Sequence, residues 1–509
     1  QDKKIIENWK NGSFKKKDEL YILKQYSYLF NKNINQERLD NLIWKKKWAE
    51  ANRQLKRVDK KYQLLSKAKI RLARRKYGVD YAIKKVPNEF KNNPSLIYER
   101  VKWRRIAKLT KESKTLLNNY LYQDFINLDH PELWWKEINW HARNLISLKL
   151  YEDAYKLLNK HKQISAANIA DAEWLLGWLS LEFINKPEQA VKHFLNMKKI
   201  VKMPISISRA NYWLAKTEEK LSNKEKSIEY YEISSIYNTT FYGLLSSDEL
   251  KINQNLVLMN NDLVEVKLNK DFIQKINILR LLSKANEKKY SLRFINGLFK
   301  KTLNNKQIIK ILNILHTEKR TDLYIRACKK AIKIDVYYQR CLFPLPHNIK
   351  INSQINASLI MAISKQESEF FPKAISRSGA LGLVQLMPNT AKNTAKKLGI
   401  NYDKNKLLND TQYNLLLGSK YLSSLISYYN GSIILAVASY NAGPTNVNKW
   451  IKMYGDPRNK DISYINWIEL IPFNETRNYV QRVIENYIVY QQVLINRAIK
   501  NKINIKELL

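Results

Sequence analysis

Through roughly the first 345 residues, apolar and aromatic side chains recur three and four positions apart, with short polar breaks such as Asn11-Gly12 and Asn93-Pro94. That spacing lines the apolar positions along one helical stripe and predicts helix after helix, with no alternating stretch that would make a strand. The pattern also repeats. Trp174-Leu175-Leu176-Gly177 and Asn185-Lys186-Pro187-Glu188-Gln189-Ala190 return 38 residues later as Tyr212-Trp213-Leu214-Ala215 and Asn223-Lys224-Glu225-Lys226-Ser227. Each copy reads as a helix, an Asn-containing turn and a second helix. A helical hairpin of this kind cannot bury its face alone, so neighbours stack into a superhelix. In such a stack the Trp and Tyr positions are read as packing between helices rather than as a ligand cage.

The pattern stops at Cys341-Leu342-Phe343-Pro344-Leu345-Pro346, where two prolines in three residues mark a boundary. Seven of the 12 glycines lie beyond residue 350, so the last 160 or so residues are built differently and are of ordinary single-domain size. There, Asn356 is a candidate N-cap for a helix from Ala357 to about Phe370, which Pro372 prevents from continuing. Ile360, Ile363 and Glu367 share one stripe of it. Glu369, two residues on, is rotated roughly 200° away and is expected to meet water. Desolvation and the negative end of the helix dipole should both raise the pKa of Glu367, as a general acid needs. On these facts alone a structural glutamate is as good a reading.

Three further stretches carry polar groups at turns and helix ends. In AISRSGALGLVQLMPNT, Ser378-Gly379 and Gly382 supply turns, Leu383-Val384-Gln385-Leu386 reads as short and extended, and Pro388 suits the first position of a helix ending near Gly399. Ser432 can cap the apolar helix IILAVASY, which closes in Tyr440-Asn441-Ala442-Gly443-Pro444. An aromatic ring and an amide at a helix end suit a cleft wall, since a sugar ring offers an apolar face and a rim of hydroxyls. Lastly, Ile471-Pro472-Phe473-Asn474-Glu475-Thr476-Arg477-Asn478-Tyr479-Val480 sets a carboxylate, an Arg and a Tyr at a helix start.

Composition changes this picture little. The net charge of +43 could suggest nucleic acid, but the lysines are scattered over nearly every helix instead of forming an arm or stripe, so nucleic-acid binding is not expected. The two cysteines, Cys328 and Cys341, form no metal-ligand pattern and are left open between a disulfide and two buried thiols. No apolar run is long enough to span a bilayer, and Gln1 starts the chain without a Met or a signal-like segment, as expected of a mature exported form.

Glu367-Ser368, Gly382-Leu383-Val384-Gln385-Leu386-Met387-Pro388, Tyr440-Asn441-Ala442-Gly443-Pro444 and Glu475-Thr476-Arg477-Asn478-Tyr479-Val480 stand in the order seen in soluble lytic transglycosylases. The chain resembles the large periplasmic members of that family. Upstream, Glu173-Trp174-Leu175-Leu176-Gly177-Trp178 through His193-Phe194, and Phe241-Tyr242-Gly243-Leu244-Leu245, look like their helical superhelix, while residues 1 to about 100 are placed there only by position. The resemblance implies a mainly α protein. A helical superhelix forming a ring or U over residues 1–270 is followed by a helical linker over 271–350 and a lysozyme-like catalytic domain over 351–509. It also implies cleavage of peptidoglycan glycan at the β-1,4 bond between N-acetylmuramic acid and N-acetylglucosamine, leaving 1,6-anhydromuramoyl ends. Glu367 would act as acid and then as base. Ser376, Gln385, Met387, Tyr440, Asn441 and Glu475 would bind the glycan. No cofactor or metal is implied, the compartment would be the periplasm, and cell-wall synthesis proteins are candidate partners. Val384 stands where Met is common in the family and Ser439 where Ala is. A lysozyme-type hydrolase and a non-catalytic cell-wall scaffold are the alternatives.

Overall fold

The structure is a computed structural model that describes residues 1–509 other than 124–127, 129, 253–268, 286, 300–302, 335, 337, 347, 348, 350–356 and 496–504. Among the described residues the regular structure is helical, and the extended pairings are single bridges, Ile375 with Leu381 and Leu381 with Leu386. No helix there is long and apolar enough to cross a membrane. The chain forms two compact units, Gln1–Leu179 and Ser180–Leu509.

In the first unit three helices begin where a short polar side chain satisfies an open amide. Asn31, Asp59 and Asn93 each accept a hydrogen bond from the backbone three residues on, starting Lys32–Trp44, Lys60–Ala73 and Pro94–Ile106. Leu39, Leu65, Leu96, Val101, Trp134, Trp174 and Trp178 are all fully buried. Several buried charges come in pairs, Glu19 with Arg53 and Arg57 at 2.6 and 2.8 Å, Lys69 with Asp40 at 2.6 Å, and Glu137 with Arg105 in a two-bonded fork at 2.9 and 2.6 Å.

The second unit opens with stacked hairpins. Pro187–Ile200, Pro204–Lys220 and Lys224–Ser235 follow one another, and the left-handed residues Asn185 (φ 56°) and Ser222 (φ 62°) sit just before two of the helix starts. Tyr212 and Trp213 are buried and meet the rings of Phe194, Tyr231 and Tyr242, so these aromatics are inter-helix packing. In the next helix, Phe241–Glu249, a Cβ at Gly243 would come within 2.1 Å of the Tyr237 carbonyl, so only glycine fits. Four helices between Lys270 and Ile332 enclose a hydrophobic cluster of their own around Leu279, Leu312, Leu323 and Cys328. Cys328 and Cys341 are joined in a buried disulfide, which fastens the segment leading to Pro344 onto the helix Thr321–Ile332.

Beyond it the helix Ala357–Ser368 is buried from Ser358 to Lys365 and packs on the long helix Asn474–Ile495. Asn356, the expected cap, lies outside the described residues. The helix stops two residues earlier than expected, because Glu369 (φ 54°) and Phe370 (φ 63°) both turn left-handed. Pro388 occupies the first position of a helix, Ser432 caps Ile433–Ala442, and Gly399 and Gly443 take positive φ at helix ends, as the local sequence predicts, while Pro444, read only as part of a stop, also begins a helix.

Candidate functional site

Glu367 lies near the C-terminal end of its helix and is partly buried. Its pKa is raised to about 7, chiefly by burial, with the Tyr479 hydroxyl pulling down and the charge of Glu475 adding to the rise. Tyr479 is 4% exposed, and its hydroxyl faces this carboxyl and favours its charged form. Tyr440 is within electrostatic reach of it; its ring packs on Tyr421 and its hydroxyl donates to the Val384 carbonyl at 2.9 Å. The charge of Glu367 also acts on Tyr440, which burial holds well above the usual phenol range. The result is a carboxyl with one buried phenol, Tyr479, and one half-buried phenol, Tyr440, beside it and no ion-pair cation among the described residues.

Helix phase alone sent Glu369 to water, and the structure corrects this. Its carboxylate is paired with Arg326 and, at 3.0 Å, with Lys329, both on the helix Thr321–Ile332. The amphipathic argument fails because its helix is enclosed on nearly every side and has no solvent face to offer. The neighbouring Lys365 is buried too: its ammonium donates to Asn486 Oδ1 at 2.6 Å and sits 3.4 Å from the centre of the Phe343 ring, and burial holds its pKa well down.

Residues 382–385 are not extended either. They form a tight turn closed by the Leu381–Leu386 bridge, with Gln385 left-handed at φ 49°. Asn414, thirty residues on, holds the turn by accepting from Val384 N–H at 3.0 Å and donating to the Leu381 carbonyl at 3.1 Å. Gly382 (φ 81°) is required, since a Cβ there would meet Asn414 Nδ2 at 2.2 Å. The Gln385 amide folds back onto the carbonyls of Ala374 and Gly382 at 3.0 and 2.7 Å. Val384 is accommodated by the bare Cα of Gly418, and the Ser439 hydroxyl is satisfied by Tyr429 at 2.8 Å, so neither departure from the family pattern disturbs the fold.

The other predicted positions differ in burial and in the partners they hold. Ser376 is half-buried in a turn where its hydroxyl accepts from Ala380 N–H at 2.9 Å. Asn441 accepts from the Thr476 hydroxyl at 2.7 Å, tying the Gly443-Pro444 corner to the start of the long helix. Glu475 is exposed and reaches Glu367 only through its charge. Met387, 43% exposed, lines with Ile375, Ser378, Leu381 and Lys404 a cavity of about 600 Å³ that does not include Glu367. The structure thus brings Glu475 and Tyr440 each into electrostatic reach of Glu367, and places Met387 in a separate cavity. Tyr479 belongs to the centre although only its block was singled out; it lies one turn after Glu475, which is the signal that could have found it.

Residues 346–463 match the protein family described as Transglycosylase SLT domain. Over 148 residues, 28% of this chain, the sequence is 37% identical to the soluble lytic murein transglycosylase of Escherichia coli K12, and over 159 residues 32% identical to the membrane-bound lytic murein transglycosylase C of Yersinia pestis. The matched stretches span 22% and 44% of those two proteins. Two solved structures are similar along almost the whole chain. An inactive Glu→Gln mutant of the lytic transglycosylase Slt from Pseudomonas aeruginosa covers 99% of this chain and 80% of its own, with a TM-score of 0.72 at 21% identity. The 70 kDa soluble lytic transglycosylase of Escherichia coli covers 97% of this chain and 78% of its own, with a TM-score of 0.68 at 19% identity. The fold class is therefore mainly α, a helical superhelix followed by a lysozyme-like domain.

Proposed function

We propose that this chain, whose residues 346–463 match the transglycosylase SLT domain, is a lytic transglycosylase that cleaves peptidoglycan glycan between N-acetylmuramic acid and N-acetylglucosamine and leaves 1,6-anhydromuramoyl ends. The observation that carries the reading is the Glu367 carboxyl, its pKa raised to about 7 beside Tyr440 and Tyr479 with no cation paired to it. Near neutral pH such a group holds a proton it can give up. In the first step Glu367 transfers that proton to the glycosidic oxygen as the bond from the muramic acid C1 breaks. In the second, the 6-hydroxyl of the same sugar attacks C1 and returns its proton to Glu367, so no water is consumed and the acid is regenerated. One residue serves twice, whereas hydrolysis through a nucleophile or base needs a second carboxylate about 5–9.5 Å away.

In this reading Met387 and Tyr440 pack on sugar faces, while Ser376, Gln385, Asn441 and Glu475 bond hydroxyl and acetamido groups. Residues 1–270 are the superhelix, 271–350 a linker and 351–509 the catalytic domain, and the site of action is periplasmic peptidoglycan. The test is to incubate the chain with purified sacculi and weigh the released muropeptides: anhydro ends are expected. Ends carrying an extra water would point to a lysozyme-type hydrolase, and binding with no product to a scaffold.

A further inference from the structure

We propose that Glu469, with Arg209 and Tyr242, is a latch that sets the position of the long helix Asn474–Ile495 and through it the placement of Tyr479 against Glu367. The inference rests on the function proposed above and assigns these three as positioning residues for it.

Glu469 lies in the short helix Tyr464–Leu470 and is fully buried. Arg209, on the helix Pro204–Lys220, donates through one terminal nitrogen to both carboxylate oxygens at 2.7 Å, and the Tyr242 hydroxyl donates to Oε1. From the long helix, Gln481 donates to the same oxygen at 2.8 Å and Arg477 approaches Oε2 at 3.7 Å. One carboxylate therefore joins two helices of the hairpin array to two helices that follow Tyr464. A second tie runs in parallel: Glu485 accepts from the Phe241 N–H at 2.8 Å.

The geometry of the long helix makes these ties relevant to the site. Arg477, Gln481 and Glu485 recur every four residues and hold one side. Glu475 and Tyr479 are two residues out of step, about 200° round the helix, and Tyr479 faces Glu367 there. A helix transmits rotation rigidly, so slack on the latched side turns the Tyr479 side by the same angle. A fully buried carboxylate that loses Arg209 keeps only the more distant Arg477, at 3.7 Å, and must shift towards it to stay compensated.

The experiment is a double-mutant cycle on the full chain, with Arg209→Met and Tyr479→Phe made singly and together. Two quantities are read in variants that thermal unfolding and circular dichroism show to be folded: kcat and KM for anhydro-muropeptide release, and the midpoint of the Glu367 carboxyl titration followed by NMR. Arg209→Met is expected to lower kcat about tenfold with KM nearly unchanged and to move the Glu367 midpoint; in the Tyr479→Phe background it should change either by less than about twofold. Arg209→Lys should recover part of the loss. If Arg209→Met does not fold, Tyr242→Phe, which removes one donor and keeps the ring, takes its place in the cycle. Effects that simply multiply, or a Glu367 midpoint indifferent to Arg209, would overturn the latch. An unmutated chain that releases no anhydro ends overturns the functional reading instead, and the carboxyl titration still decides the latch.

Discussion

The helices of Gln1–Leu179 and the domain around Glu367 bury ionisable groups in opposite ways. In the former, Glu19, Lys69 and Glu137 each meet an opposite charge within 2.9 Å. Around Glu367 there is no such partner, only the phenols of Tyr440 and Tyr479 and the like charge of Glu475. A neutralised charge is a fastening, with its ionisation settled by its partner; an unneutralised carboxyl in the same dry surroundings keeps its proton into the neutral range and can exchange it. Glu369, two residues from Glu367 and held by Arg326 and Lys329, belongs to the first kind, so the two behaviours meet within one turn of chain.

The contrast breaks most visibly at Glu367 itself. Glu367→Gln is expected to lower transglycosylation by about 10²- to 10⁴-fold, measured as anhydro-muropeptide release, while the fold persists. The same variant sharpens the point through stability. Because the folded pKa of about 7 lies above the unfolded value of 4.5, the native state binds the extra proton, and wild-type stability falls as pH rises through that window. Glu367→Gln has no such loss, so it should match wild type at pH 4 and exceed it at pH 8 by up to about 3 kcal/mol in thermal or denaturant unfolding. A variant whose stability matched that of wild type at both pH values would contradict the raised pKa.

In the other region the expected outcome has the reverse form. Arg105→Met strands the buried Glu137 and should cost about 3 kcal/mol in denaturant unfolding, with kcat of the folded fraction unchanged. The smallest effect belongs to Tyr479→Phe. It removes the group that lowers the Glu367 pKa, so the pH at which activity falls on the alkaline side, near 7 in the wild type, should move upward, with a loss of about tenfold or less in kcat at neutral pH. A limb that moves downward would mean the hydroxyl favours the protonated acid.

Much of the local structure was legible in the chain. Pro388 begins a helix, Ser432 caps one, and Gly443 ends it, because caps and turns are decided by atoms within four residues of one another. The 38-residue recurrence announced hairpins whose aromatics are indeed buried between helices. The polar behaviour of Glu369 and the turn at Gln385 were not legible. Their partners, Arg326, Lys329 and Asn414, lie 43, 40 and about 30 residues away, and no periodicity reports such neighbours.

By itself the sequence determined that this is a helical protein with a distinct C-terminal domain, and that Glu367 stands among four blocks of chemistry-bearing residues. The tertiary structure alone decided that Glu369 is paired and Glu367 is not, that Cys328 and Cys341 are bonded, and that Glu469 gathers Arg209 from 260 residues away. The reason is physical: backbone preference is a short-range property of the chain, whereas the charge state of a carboxyl is set by whatever is packed around it through space.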